Sequence, residues 1–139
     1  MGRVRCLQLL VGFYYPQQGY VKLNCDGASN NLGMAGIRGI IRGDQVEFYA
    51  CYAKHVFKND NNVAEVWVIR NGILLAKDMG FKKIEVESDS TYAIQLCKKE
   101  VQVPWNLHSL IEDIDALKKN FDAIGFHKGI ERPTMWLIF

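Results

Sequence analysis

Val21-Lys-Leu-Asn-Cys-Asp-Gly27 alternates apolar and polar residues one by one. Successive side chains of an extended chain point to opposite faces, so Val21, Leu23 and Cys25 share one side and Lys22 and Asn24 the other. The stretch reads as a half-buried strand ending in Asp26-Gly27. Beyond it, Asn30, Asn31 and Gly33 supply turn chemistry, and residues 34–42 read as a second strand. Gly43-Asp44 then turns the chain into a third, residues 45–56. Three strands joined this closely form an antiparallel meander.

The period changes after that. Residues 59–62 are polar and suit a loop and a helix N-cap. From residue 63 to 79 the apolar positions recur at three and four (Val66, Ile69, Ile73, Leu74), and Gly80 closes the helix. Residues 83–87 form a short buried strand, followed by Ser88-Asp89-Ser90 and a helix to about residue 98. Helices before and after this strand imply that it runs parallel to a neighbour inside the sheet. Pro104 and Trp105 interrupt the chain. Asn106 can cap a further helix, on which Leu107, Leu110, Ile111, Ile114 and Leu117 make one apolar face. Residues 121–126 give the last strand. The order is βββαβααβ: an α/β chain with a mixed five-stranded sheet and helices on its faces.

Composition agrees with one domain. The chain has 139 residues, 49% of them hydrophobic and 23% charged, which excludes collagen, coiled coil and disorder. A fold of this size buries roughly two thirds of its unfolded surface, enough to stand without a disulfide or structural metal. Apolar runs of only a few residues predict no membrane-spanning segment. A net charge of +2 is too small to announce a nucleic-acid binder. Cys6, Cys25, Cys51 and Cys97 are scattered, as buried thiols of a reducing, intracellular (nuclear or cytoplasmic) compartment would be. Cys51 and His55 stand four apart with no second ligand pair for zinc. Residues 1–18 read as an arm or linker and 19–139 as the domain. The apolar run at 6–15 imitates a targeting segment, but Gln8 interrupts it and no small-residue cleavage site follows.

Three carboxylates occupy telling positions. Asp26 ends the first strand, Glu65 lies in the first turn of the long helix, and Asp89 follows the fourth strand. Singly, each has an ordinary explanation in turn chemistry or helix-dipole compensation. Together, with the first and fourth strands adjacent, they would form an anionic cluster suited to Mg²⁺ or Mn²⁺.

Three runs then resemble the successive motifs of type 1 ribonuclease H: Lys22-Leu-Asn-Cys-Asp-Gly-Ala-Ser29, Asn61-Asn-Val-Ala-Glu65 and Val86-Glu-Ser-Asp-Ser90. The form is similar to the plant domain at the end of reverse-transcriptase-derived polyproteins, and the likeness runs over residues 19–136. The resemblance implies endonucleolytic cleavage of the RNA strand of an RNA–DNA hybrid. It implies that Asp26, Glu65 and Asp89 hold two divalent ions roughly 4 Å apart. Asn61 and Asn62 would read the minor groove, where amides can meet 2′-hydroxyls, besides capping the helix. Ser29, Asn30, Ser90 and Thr91 would contact the substrate backbone, and His127 would help water or product leave.

The chain departs from that pattern near its end. His127-Lys-Gly-Ile-Glu-Arg-Pro-Thr-Met-Trp-Leu-Ile-Phe139 puts Met135 where the fourth catalytic Asp belongs, and the terminal helix is truncated. A thioether cannot replace a carboxylate on Mg²⁺, so the second ion should bind weakly and catalysis should fall. Glu131 is the nearest acid able to substitute. Residues 136–139 form an apolar tail that points to a protein partner or self-association. Lys98-Lys99 and Lys118-Lys119 are isolated pairs rather than a dense basic grip, so hybrid affinity should be modest and salt-dependent. The competing expectation is an inactive module of the same fold that binds nucleic acid or protein. A nuclease of this fold acting on another nucleic acid is the third.

Overall fold

The computed structural model describes residues 6–8, 16–29, 35–45, 47–56, 61–129 and 136–138. Its main sheet has five strands: β2 (Val21–Ser29), β3 (Ala35–Arg42), β4 (Phe48–Val56), β5 (Lys83–Ser88) and β6 (Ala123–Lys128). Their order is β4-β3-β2-β5-β6. β2, β3 and β4 pair antiparallel as the meander, while β5 lies parallel to β2 on one side and to β6 on the other. The short buried run is therefore an inner strand, as its flanking helices required. Helices α1 (Asn61–Asp78), α2 (Thr91–Cys97) and α3 (His108–Lys118) complete the domain. A further antiparallel ribbon joins β1 (Cys6–Gln8) to β7 (Trp136–Ile138), with Cys6 opposite Ile138. Alternation could not foresee a pairing between segments at opposite ends of the chain.

Register separates the two faces of the sheet. Leu23 stands opposite both Ile41 and Val86, and Val86 stands opposite Phe126. These residues are buried in one cluster with Val66, Ile69 and Ile73 of α1, Ile94 and Leu96 of α2, and Ile111 and Ile114 of α3. The three helices thus share one face. The other face carries Lys22, Asn24 and Asp26 of β2, Arg38, Ile40 and Arg42 of β3, and Glu85 and Glu87 of β5. There Lys22 and Glu87 make a buried ion pair at 3.4 Å, and Asn24 Nδ2 donates to Glu87 at 3.0 Å. An ion pair so deprived of water is held by such added hydrogen bonds more than by Coulomb attraction alone.

Tyr52 ties sheet to helix. Its ring lies over Gly39, its partner across the β3–β4 ladder, and its hydroxyl donates to the Val68 carbonyl of α1 at 2.5 Å. A methyl at Gly39 would collide with the Tyr52 ring, and one at Gly72 would collide with its hydroxyl. Both glycines are there because nothing larger fits.

Helix ends follow local rules in two places and break them in one. Gly80 adopts φ +88°, and the Phe81 N–H reaches back to the Ala76 carbonyl at 3.1 Å, closing α1 as expected. Ser90 caps α2 by accepting the Ala93 N–H at 3.1 Å. Asn106 does not cap α3. It sits inside a 3-10 turn, Trp105–Leu107, that Pro104 starts, and α3 begins at His108 with no side-chain cap. Of the aromatic residues, Tyr52 and Trp67 pack on the core, but Phe48 and Tyr49 are exposed on the edge strand. Cys25, Cys51 and Cys97 form no disulfide. Burial pushes the Cys25 thiol well up and Cys97 up to about 12, which makes them inert packing groups.

Candidate active site

β5 ends at Ser88, opposite Cys25, so β2 continues alone on that side from Asp26 onward. That step in the sheet leaves a notch at the carboxyl ends of two parallel strands, where α/β folds place their sites. Asp26 stands at its lip. Asp89, the first residue past β5, is exposed beside it. Glu65 arrives from the second turn of α1, slightly deeper in the helix than a first-turn acid.

The three groups feel one another. Burial first, then the negative charge of Asp89 and, more weakly, of Asp26 push the Glu65 carboxyl above its usual range. Hydroxyls of Ser90 and Ser88 hydrogen-bond to Glu65 and pull partly the other way. The same two serines are locked by the backbone: Ser88 Oγ accepts the Ser90 N–H at 3.1 Å while Ser90 Oγ caps α2. A hydroxyl whose oxygen is occupied by an N–H has its proton left to aim at Glu65. Ser88 was not foreseen as a site residue, although hydroxyls on both sides of Asp89 were a visible signal.

The remaining expected residues divide. Asn62 is exposed and Asn61 opens α1, so both lie at the helix start that carries Glu65. Thr91 is exposed at the start of α2, and Ser29 ends β2. His127 lies within β6 rather than after it. Its ring leans back over Gly125 and lines a cavity of about 210 Å³ with Gln17, Tyr20 and Glu85, away from the trio. Asn30, Glu131 and Met135 fall outside the described residues. Three of the four paired lysines are engaged: Lys99 and Lys118 meet Asp115 at 2.5 and 3.3 Å, and Lys98 meets Glu100 at 3.2 Å.

Among the described residues no trio of His, Cys, Asp or Glu is closed around one point as a finished metal cage. Asp26, Glu65 and Asp89 are gathered, not closed. As a donor set, three carboxylates suit a hard divalent cation; Glu65 is made costly to ionise by burial first and by Asp89 and Asp26 next, and among the described residues no lysine is one of the groups that shift it.

A family profile described as reverse transcriptase-like matches residues 24–128, which span β2 to the end of β6. The chain belongs to this ribonuclease H-like family. An Arabidopsis thaliana protein whose name assigns it to ribonuclease H is 27% identical over 93 residues, 66% of this chain. The match spans only 15% of that relative's length. Among solved structures, RNase H1 of the halophilic archaeon Halobacterium salinarum superposes with a TM-score of 0.68 at 22% identity, covering 80% of this chain and 86% of its own. The N-terminal RNase H domain of Mycobacterium tuberculosis rv2228c gives 0.69 at 23% identity, covering 79% and 81%. LC11-RNase H1, solved in complex with an RNA/DNA hybrid, gives 0.64 at 19% identity, covering 78% and 84%. At such identities these likenesses establish the ribonuclease H fold, which the β4-β3-β2-β5-β6 sheet already displays.

Proposed function

We propose that this domain is a divalent-metal-dependent endoribonuclease that cleaves the RNA strand of RNA–DNA hybrids. One observation carries the reading: Asp26, Glu65 and Asp89, from a strand, a helix and a post-strand turn, meet electrostatically at the notch between β2 and β5. Mg²⁺ or Mn²⁺ bound there would supply a lowered water pKa and charge neutralisation for the leaving oxygen. The chain's own residues do the rest. Asp26 and Asp89 are the outer carboxylates, Glu65 the inner one, and Ser88 and Ser90 hold Glu65 in position. Asn61 and Asn62 at the start of α1 face the ribose edge of the substrate, with Ser29, Asn30, Ser90 and Thr91 contacting its backbone. His127 would have to turn out of its cavity to assist product release.

The fourth carboxylate is the weak point of the site. With Met135 in its place, the second ion binds weakly and turnover is slow, and Glu131 is the acid nearest to compensate. The test is a labelled hybrid incubated with the purified chain in Mg²⁺ and in Mn²⁺. We expect slow cleavage of the RNA strand that Asp26→Asn abolishes. Retained hybrid binding with no cleavage in either metal would instead establish an inactive binding module, the reading that Met135 favours. Met135→Asp should raise the cleavage rate by about tenfold or more, as restoring one charged metal ligand does. An unchanged rate would move the fourth-ligand position elsewhere.

A further inference from the structure

Lys54 of β4 holds its ammonium over the ring of Trp67 of α1, 4.3 Å from the centroid. Among the described residues it makes no ion pair, whereas Lys98, Lys99 and Lys118 each meet an acid. The ring attracts the charge without cancelling it. Both side chains are half-buried, so the lysine stem is held before any ligand arrives.

Register fixes where this cation stands. Lys54 is opposite Ile37, and Ile37 is opposite Gly27, the residue after Asp26. β4 therefore runs in the same direction as β2, and both approach the end of the sheet where the notch lies. Two strand spacings put Lys54 about 10 Å from β2 at that level. On the helix, Trp67 follows Glu65 by two residues. The cation thus flanks the carboxylate trio rather than neutralising it, and it is not among the groups that shift Glu65. By contrast Lys83, 5.9 Å from the Tyr20 ring, opens β5 at the opposite end of the sheet.

We propose that Lys54 is a substrate-binding residue that takes a backbone phosphate of the hybrid beside the notch, with Trp67 holding it in place. The inference rests on the hybrid-nuclease reading above and deepens it. Three carboxylates repel a polyanion, and one fixed cation to the side relieves that repulsion without occupying the metal position. A duplex carries about one phosphate per strand for every 3.4 Å of its axis, so a cation about 10 Å away meets the same duplex that spans the notch. A lysine ordered beforehand loses little further side-chain freedom on binding.

The experiment titrates a fluorescently labelled RNA–DNA hybrid with the full chain, read by anisotropy at several salt concentrations with a chelator present, so that no cleavage intervenes. Lys54→Gln should weaken binding about tenfold at about 0.05 M salt and lower the slope of log affinity against log salt by about one, the signature of one lost phosphate contact. Lys54→Met, which keeps the stem on the ring, should repeat that result, and Lys54→Arg should keep the parent's slope. Circular dichroism melts of each variant read a structural role separately. A lysine that only packs on Trp67 would lower the midpoint and leave the slope unchanged, which overturns the proposal. So does a slope lost in Lys54→Arg as well. A parent with no salt-dependent affinity for the hybrid overturns the hybrid reading and this role together. A parent that loses its slope in Lys54→Gln yet never cleaves in Mg²⁺ or Mn²⁺ refutes the nuclease reading while the phosphate contact stands.

Discussion

Glu65→Gln is expected to stop hybrid cleavage and, in the same protein, to raise the thermal midpoint. The first half follows from the proposed metal site: the amide removes the inner negative charge, for a loss of about 10²–10³-fold or more. The second half follows from crowding. Burial and two neighbouring carboxylates make ionised Glu65 costly, while the hydroxyls of Ser88 and Ser90 can serve an amide oxygen as well. The glutamine variant would therefore keep the hydrogen bonds and lose the repulsion, a trade of activity for stability common at active sites. The pH dependence has a definite sign. The folded carboxyl holds its proton to higher pH than the unfolded one, whose value lies near 4.5. Stability of the parent falls as pH rises from there through the raised value, and the penalty is fully present above it. The variant lacks that fall. Thermal melts of both proteins from about pH 4 to about pH 7 should diverge with rising pH. A lower midpoint for the variant at neutral pH would show that the carboxylates are not crowded.

Tyr52→Ala carries the largest expected loss of stability. The ring fills the space between Gly39 of the sheet and Gly72 of α1, and its hydroxyl bonds to the Val68 carbonyl and meets the Cys25 thiol. Removing a half-buried aromatic packed this closely costs about 3 kcal/mol, through lost transfer energy and the cavity left behind. For a domain of this length that lowers the midpoint by roughly 10 °C or more. Tyr52→Phe isolates the hydroxyl and should cost about 1 kcal/mol. Gly72→Ala attacks the same contact from the helix, since its methyl would collide with the hydroxyl and with the Leu23 side chain. Overpacking there should cost about 1–3 kcal/mol. Urea unfolding of the three variants orders them. A Tyr52→Ala protein as stable as the parent would mean that the ring is not a bridge between layers.

Period and punctuation made much of the architecture readable beforehand. Val21, Leu23 and Cys25 needed only alternation to be placed on one face, and Gly80 only its position after a helical run. The parallel setting of residues 83–87 followed from the helices on either side, and β5 extends it by one residue to Ser88. Boundaries that depend on tertiary support were not readable. β2 runs on to Ser29 past the Asp26-Gly27 pair because β3 continues to pair with it. Asn106 lost its capping role because Pro104 sets a 3-10 turn one residue earlier. At the site, alternation and helix period put Asp26 at a strand end and Glu65 in a first helical turn, whereas Asp26 lies inside β2 and Glu65 in the second turn of α1. The contact of Ser88 with Glu65 was not readable, for it depends on which strand end lies beside which helix. His127 was placed in sequence but not in direction: its ring turns back along β6 to cover Gly125.

The β1–β7 ribbon brings Gln8 opposite Trp136 and Cys6 opposite Ile138, so residues 6–8 and 136–138 run side by side. A domain cut at Cys6 and Ile138 would present both cut ends on neighbouring strands. Spliced into a longer host, its two junctions would emerge as neighbours and leave the host's own layout undisturbed.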